Sequence, residues 1–212
     1  MTSREERLAA VYAAEGRDDL ERQYKTWAEH YDADVFALGY AVPGMVAAMT
    51  ARHLPHEASP ILDCGAGTGL LGVLLTGLGY RGLTAIDMSR EMLALAEARG
   101  IYDACRRMVL GARLDFPDDV FAGVVAAGVF TAGHAPAESF DELCRVTRPG
   151  GLAIFGARAD GAHGAPYRER QDALEAAGAW RLEAESEAYP AFLVAPEEAH
   201  VLNRVFVYRV AG

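Results

Sequence analysis

Lysine is nearly absent from this chain. Lys25 is the only one, and the other basic residues are arginines. With 20 Lys and Arg against 30 Asp and Glu, the net charge is −10. Neutralising a phosphate backbone needs clustered cations, so no nucleic-acid partner is expected. Cysteine is scarce as well. Cys64, Cys105 and Cys144 lie far apart and form no CxxC pair. They read as small buried hydrophobes in a reducing, cytoplasmic setting. No apolar run approaches the roughly 18 residues of a membrane span, so no membrane association is expected. The first residues, Met1-Thr2-Ser3-Arg4-Glu5-Glu6-Arg7, are charged with no apolar segment behind them, unlike a signal peptide. There is no internal repeat, no metal-ligand spacing of His, Cys and acids, no nucleophile elbow and no phosphate-binding lysine motif.

What is present is an ordinary globular composition, 51% hydrophobic and 24% charged over 212 residues, enough for one α/β domain with a sizeable core. At its centre is Ile61-Leu62-Asp63-Cys64-Gly65-Ala66-Gly67-Thr68-Gly69-Leu70-Leu71-Gly72. It reads as a buried strand, a glycine turn and a helix start. Without Cβ atoms the backbone can approach a ligand, and the helix start offers unpaired N–H groups. The spacing is G-x-G-x-G, and Leu70 occupies the place of the third glycine of a dinucleotide fingerprint. Asp63 just before the turn would repel a pyrophosphate but can hold a cationic amino group. This favours an amino-acid-bearing nucleoside over NAD. Asp87, 22 residues after Gly65, ends a second strand. There it either accepts both ribose hydroxyls or caps the next helix. Met88 can lie on the flat face of an adenine.

The other elements follow from periodicity and punctuation. Residues 3–15, 18–31 and 41–53 predict helices. Tyr24, Trp27 and Tyr31 share one face of the second, as a packing stripe or as a cover over a ligand. Asp32 and Asp34 follow in a polar turn. Strands are expected at 61–64, 83–87, 108–110, 122–129, 152–156, 180–187 and 203–210, the last two as an antiparallel hairpin. Helices are expected after the glycine turn, after Ser89, from Pro136 and over 166–177. Alternating strands and helices predict a doubly wound, mostly parallel sheet with its ligand crevice at the carboxyl ends of the strands.

Three segments carry a family resemblance: Ile61 to Gly72, Leu83 to Ser89, and Leu143-Cys144-Arg145-Val146-Thr147-Arg148-Pro149-Gly150-Gly151. In this order they resemble the motifs of class I S-adenosylmethionine-dependent methyltransferases. The stretch Tyr24 to Asp32 is similar to the N-terminal cover of the small-molecule branch. Gly133-His134 resembles methyltransferase-like proteins related to the Williams–Beuren region methyltransferase. The resemblance implies a Rossmann-like α/β fold, with a seven-stranded sheet whose last strand is antiparallel. It implies a single domain over 1–212, with 1–55 as a helical lid and 56–212 as the core.

It also implies S-adenosyl-L-methionine as cofactor and S-adenosyl-L-homocysteine as product. Asp63, Gly65, Ala66 and Gly67 would serve the methionine part, Asp87 the ribose and Met88 the adenine. Gly128 would flank the sulfonium, and Tyr24 and Trp27 would close over it. Many relatives carry an acid for the adenine amino group after strand three. Here the segment is Leu110-Gly111-Ala112-Arg113-Leu114-Asp115, so either the backbone of Ala112 and Arg113 or a displaced Asp115 takes that role. The segment after strand four, Gly128 to Pro136, lacks the Asn/Asp-Pro-Pro-Tyr motif of exocyclic-amine N-methyltransferases. His134 is a candidate general base or a capping residue. The expected reaction is in-line methyl transfer to a small-molecule acceptor by a monomer or homodimer. The competing expectations are a non-catalytic cofactor-binding module or partner subunit, and an NAD(P)-dependent oxidoreductase. The latter is disfavoured by the missing third glycine and the lack of a Tyr-x-x-x-Lys pair.

Overall fold

The computed structural model describes residues 2–131 and 133–212. Met1, and Ala132 within the Gly128–Pro136 stretch, lie outside the described residues. Four helices come first: α1 (Arg4–Tyr12), α2 (Arg17–Trp27), α3 (Tyr31–Ala37) and α4 (Val42–His53). Ser3 and Glu6 form a reciprocal capping box that starts α1. The single helix expected over 18–31 is two helices, because Asp34 is not in a surface turn. It is buried, and its Oδ2 accepts the Trp27 indole N–H at 2.7 Å. Arg7 clamps the same carboxylate, with Nε at 2.7 Å and a second nitrogen at 2.9 Å. In one continuous helix, seven residues advance about 10.5 Å along the axis, out of reach of such a bond. The chain must break near His30 to bring Asp34 back onto Trp27. Helix α4 packs on the sheet rather than over its end, against strands 121–130, 147–158 and 202–210.

The core then runs β1 (Ile61–Cys64), α5 (Leu70–Gly77), β2 (Leu83–Asp87), α6 (Arg90–Ala98), β3 (Ala104–Arg107) and β4 (Phe121–Phe130). It continues through α7 (Ser139–Val146), β5 (Thr147–Arg158), α8 (Gly161–Ala176), β6 (Trp180–Glu185), β7 (Tyr189–Pro190) and β8 (Leu202–Val210). The sheet order is β3-β2-β1-β4-β5-β8-β6, with the two-residue β7 pairing to β8. Strands β1 to β5 are parallel, and β8 runs antiparallel to both β5 and β6. This is the expected seven-strand arrangement with one short extra pairing. Alternate residues feed two cores: Ile61, Val125 and Ile154 face one layer, Leu62, Val124 and Phe155 the other. The second layer is aromatic, with Trp180 on Tyr208 at 4.1 Å and Phe140 on Phe155 at 4.7 Å.

Strand three lies earlier than expected. β3 pairs Thr84 with Ala104 and Asp87 with Arg107, so Met108 to Leu110 have left the sheet. Ala-Cys-Arg-Arg makes a half-exposed edge strand with no apolar signature. Met108, Val109 and Leu110 are apolar because they line a cavity instead. Pro136 likewise precedes its helix rather than opening it, and α8 begins five residues before the expected start, with Pro166 inside it.

Candidate active site

The strand order reverses between β1 and β4, and the crevice opens at their carboxyl ends. A cavity of about 330 Å³ occupies it, with Gly65, Gly67, Asp87, Met88, Gly128 and His134 among its lining residues. This is the size range of a small-molecule site. Its floor is the turn after β1. Gly65 has φ +68, and a Cβ there would meet Val129 at 2.1 Å. Gly67 has φ +56 with nothing within 4 Å of the Cβ position. Both demand glycine and leave bare backbone facing the cavity. Asp87 is fixed at the end of β2 by two backbone donors, Gly67 N–H to Oδ2 and Ser89 N–H to Oδ1, each at 2.8 Å. Burial pushes its carboxyl above the ordinary range, opposed by these bonds. Each oxygen keeps capacity for a further hydroxyl. Met88, Met92, Met108, Val109 and Leu110 form an apolar slot beside it. A bare-backbone cradle, a hydroxyl-accepting acid and an apolar slot fit an adenosyl group.

Asp63 lies beneath the turn, not on the main cavity. It is buried, accepts the Tyr102 hydroxyl at 2.7 Å, and borders a separate pocket of about 30 Å³ together with Ala66. Burial pushes its carboxyl up to about 7, with the Tyr102 bond acting in the opposite direction. Ala112 and Arg113 do not line the main cavity. Leu110 and Gly111 do, while Arg113 is exposed beside Asp118 at 3.6 Å.

From above, Tyr24 and Tyr31 cover the cavity. The Tyr24 hydroxyl and His134 Nε2 are 2.7 Å apart. Burial pushes the Tyr24 hydroxyl far above its ordinary range, which keeps it protonated. Trp27 stacks behind Tyr24, with ring centroids 6.4 Å apart, and does not line the main cavity. A second set of bonds ties α3 to the glycine turn. Thr68 Oγ1 donates to Asp32, and Arg99 bridges Asp32 to the Thr68 carbonyl. Beyond Tyr24, Tyr31, Gly128 and His134 lies a second chamber of about 50 Å³, which borders all four.

Two cavity residues carried no sequence signal as site residues. Arg17 sits at the mouth on the first turn of α2, and Leu20 follows one turn later. Met92 was legible only as the inner face of a helix, and Met108 to Leu110 only as a strand.

The comparisons with known proteins agree with this chemistry. A family model described as a methyltransferase domain matches residues 62–155. Human methyltransferase-like protein 27 is 36% identical over 183 residues, covering 81% of this chain and 74% of that protein. Phosphatidylethanolamine N-methyltransferase of Cereibacter sphaeroides is 36% identical over 144 residues, covering 65% of this chain and 67% of that protein. Among solved structures, a TehB-like SAM-dependent methyltransferase from Corynebacterium glutamicum superposes with a TM-score of 0.65 at 17% identity, over 90% of this chain and 99% of that one. Identity that low speaks for the fold alone, but the two sequence relatives carry the family. The chain belongs to the class I S-adenosylmethionine-dependent methyltransferases, in the branch that includes methyltransferase-like protein 27, and S-adenosylmethionine is its cofactor.

Proposed function

We propose that this enzyme methylates an O, N or S atom of a small cytoplasmic molecule by direct in-line displacement. The observation that carries this reading is the two-chamber arrangement. A nucleoside-sized cavity and a smaller chamber meet at a partition of Tyr24, Tyr31, Gly128 and His134. A chamber of about 50 Å³ suits a small acceptor group, not a folded macromolecular surface. In this reading Gly65, Ala66 and Gly67 hold the methionine part of the cofactor, with Asp63 beneath for its ammonium. Asp87 takes the ribose hydroxyls, and Met88 the adenine face. Leu110 and Gly111 offer the backbone contacts that the sequence suggested for Ala112 and Arg113. Helices α1 to α3 form the lid, with Trp27 bracing Tyr24 from behind.

When bound, the cofactor supplies a methyl group already activated on a sulfonium. The protein supplies alignment and exclusion of water, which is most of what such a displacement needs. Gly128 lets the backbone lie close to the transfer point. With Tyr24 as donor, His134 Nε2 is the acceptor of their bond. A proton leaving the acceptor molecule reaches His134 by replacing that hydroxyl or by passing through it.

The test is transfer of labelled methyl from S-adenosylmethionine to fractions of a cell extract. Label should appear in dialysable metabolites. Label confined to protein or nucleic acid would overturn the proposal.

A further inference from the structure

The second chamber carries a buried polar pair in its lining. Its volume of about 50 Å³ holds about four water-sized groups. Tyr12, Trp27, Tyr40 and Phe192 give it an aromatic wall. Arg158 and Asn203 stand directly opposite each other across the antiparallel β5–β8 pair. Directly opposed residues project from the same face of a sheet, and both line the chamber.

Asn203 is the only asparagine in the chain. It is 5% exposed, and its side-chain amide, which is not among the fully buried unpaired atoms of the described residues, is reachable from the chamber it lines. An amide facing a small chamber offers its N–H and C=O groups to a ligand or water there. Arg158 is 7% exposed. Asp160 engages its Nε and one terminal nitrogen, the latter at 2.6 Å. The other terminal nitrogen has only a long contact to Thr131 Oγ1 at 3.4 Å. A guanidinium carries five N–H donors, so donors remain for the chamber. Asp160 does not line it, and no acidic side chain among the described residues does. The inner surface therefore shows one cation and one amide, with their counter-charge placed outside.

We propose that Arg158 and Asn203 hold the carboxylate of a small monoanionic acceptor, leaving its nucleophilic end at the Gly128–His134 partition. A carboxylate accepts from both the guanidinium fork and the amide N–H, and charge-assisted bonds of this kind are the strong ones. The inference rests on the proposed function, since it takes the second chamber as the acceptor site.

The chain's two tryptophans provide a local readout. Trp27 lines the chamber, while Trp180 is buried in the opposite core layer. Protein loaded with S-adenosylhomocysteine is titrated with propionate and, separately, with neutral propionamide at equal ionic strength. The indole N–H resonances are followed throughout. Propionate should half-saturate a shift of the Trp27 signal at about tenfold lower concentration than propionamide, with Trp180 unmoved. Arg158→Met should erase the preference, and Asn203→Leu should reduce it several-fold. If Arg158→Met fails to fold because Asp160 loses its partner, Asn203→Leu decides alone. Equal half-saturation by the two compounds, or a preference intact in the folded variants, would sink the inference. Absence of S-adenosylhomocysteine binding by the wild type would instead fell the cofactor-cavity reading. Normal cofactor binding without a carboxylate preference would fell this inference only.

Discussion

Asp87 shows how much a single side chain can organise. Two backbone N–H groups aim it, one of them from the glycine turn itself, so the acid and the turn form one rigid unit. Replacing it with alanine removes both the anchor and the proposed ribose contacts. Asp87→Ala should weaken S-adenosylhomocysteine binding by about 1–3 kcal/mol, read by titration calorimetry. Unchanged affinity would mean the ribose lies elsewhere. This residue was legible because a strand end, a glycine turn and a fixed spacing define it locally. Gly65, Gly67, Met88, Gly128, His134 and Tyr24 also come together on the cavity. Ala112 and Arg113 did not, because their placement depends on where β3 ends. Asn203 and Arg158 are 45 residues apart in sequence, and only the pairing of β5 with β8 brings them together.

At the scale of elements, several side chains fasten the N-terminal helices to one another and to the core. Asp34 gathers Arg7 of α1 and Trp27 of α2. Asp32 and Arg99 fasten α3 to the glycine turn. Tyr24 reaches His134. Asp34 is the most buried of these anchors. Removing it leaves the indole N–H without its acceptor and the guanidinium without its counter-charge. Asp34→Ala should lower unfolding free energy by about 1.5–3 kcal/mol in urea denaturation. A loss near zero would show that the break between α2 and α3 has another cause. The break was invisible to periodicity, because Tyr24, Trp27 and Tyr31 keep helical spacing across it. What ends the helix is a hydrogen bond back to Trp27. β3 lies earlier than the apolar run predicts for a related reason: Met108 to Leu110 wall a cavity, and the strand is the half-exposed Ala104–Arg107.

At the scale of the whole molecule, the fold class was legible because alternating strands and helices leave few arrangements. Stability adds a pH signature. The Asp63 carboxyl is raised by burial from 3.8 to about 7, so the folded state binds its proton more tightly than the unfolded state does. Between those two values the folded chain carries the extra proton, and stability falls as pH rises. Above them the loss is complete. Asp63→Asn removes this dependence. Its stability relative to wild type should therefore be higher at about pH 8 than at about pH 5, in denaturant titrations at both. A constant difference would show that Asp63 titrates normally. The position of β8 has one more consequence. It follows in sequence every strand it pairs with, yet it sits between β5 and β6. During synthesis, β6 therefore has no sheet neighbour until β8 leaves the ribosome. Asn203 enters with β8, so a nascent chain holds every lining residue of the larger cavity before the second chamber is complete.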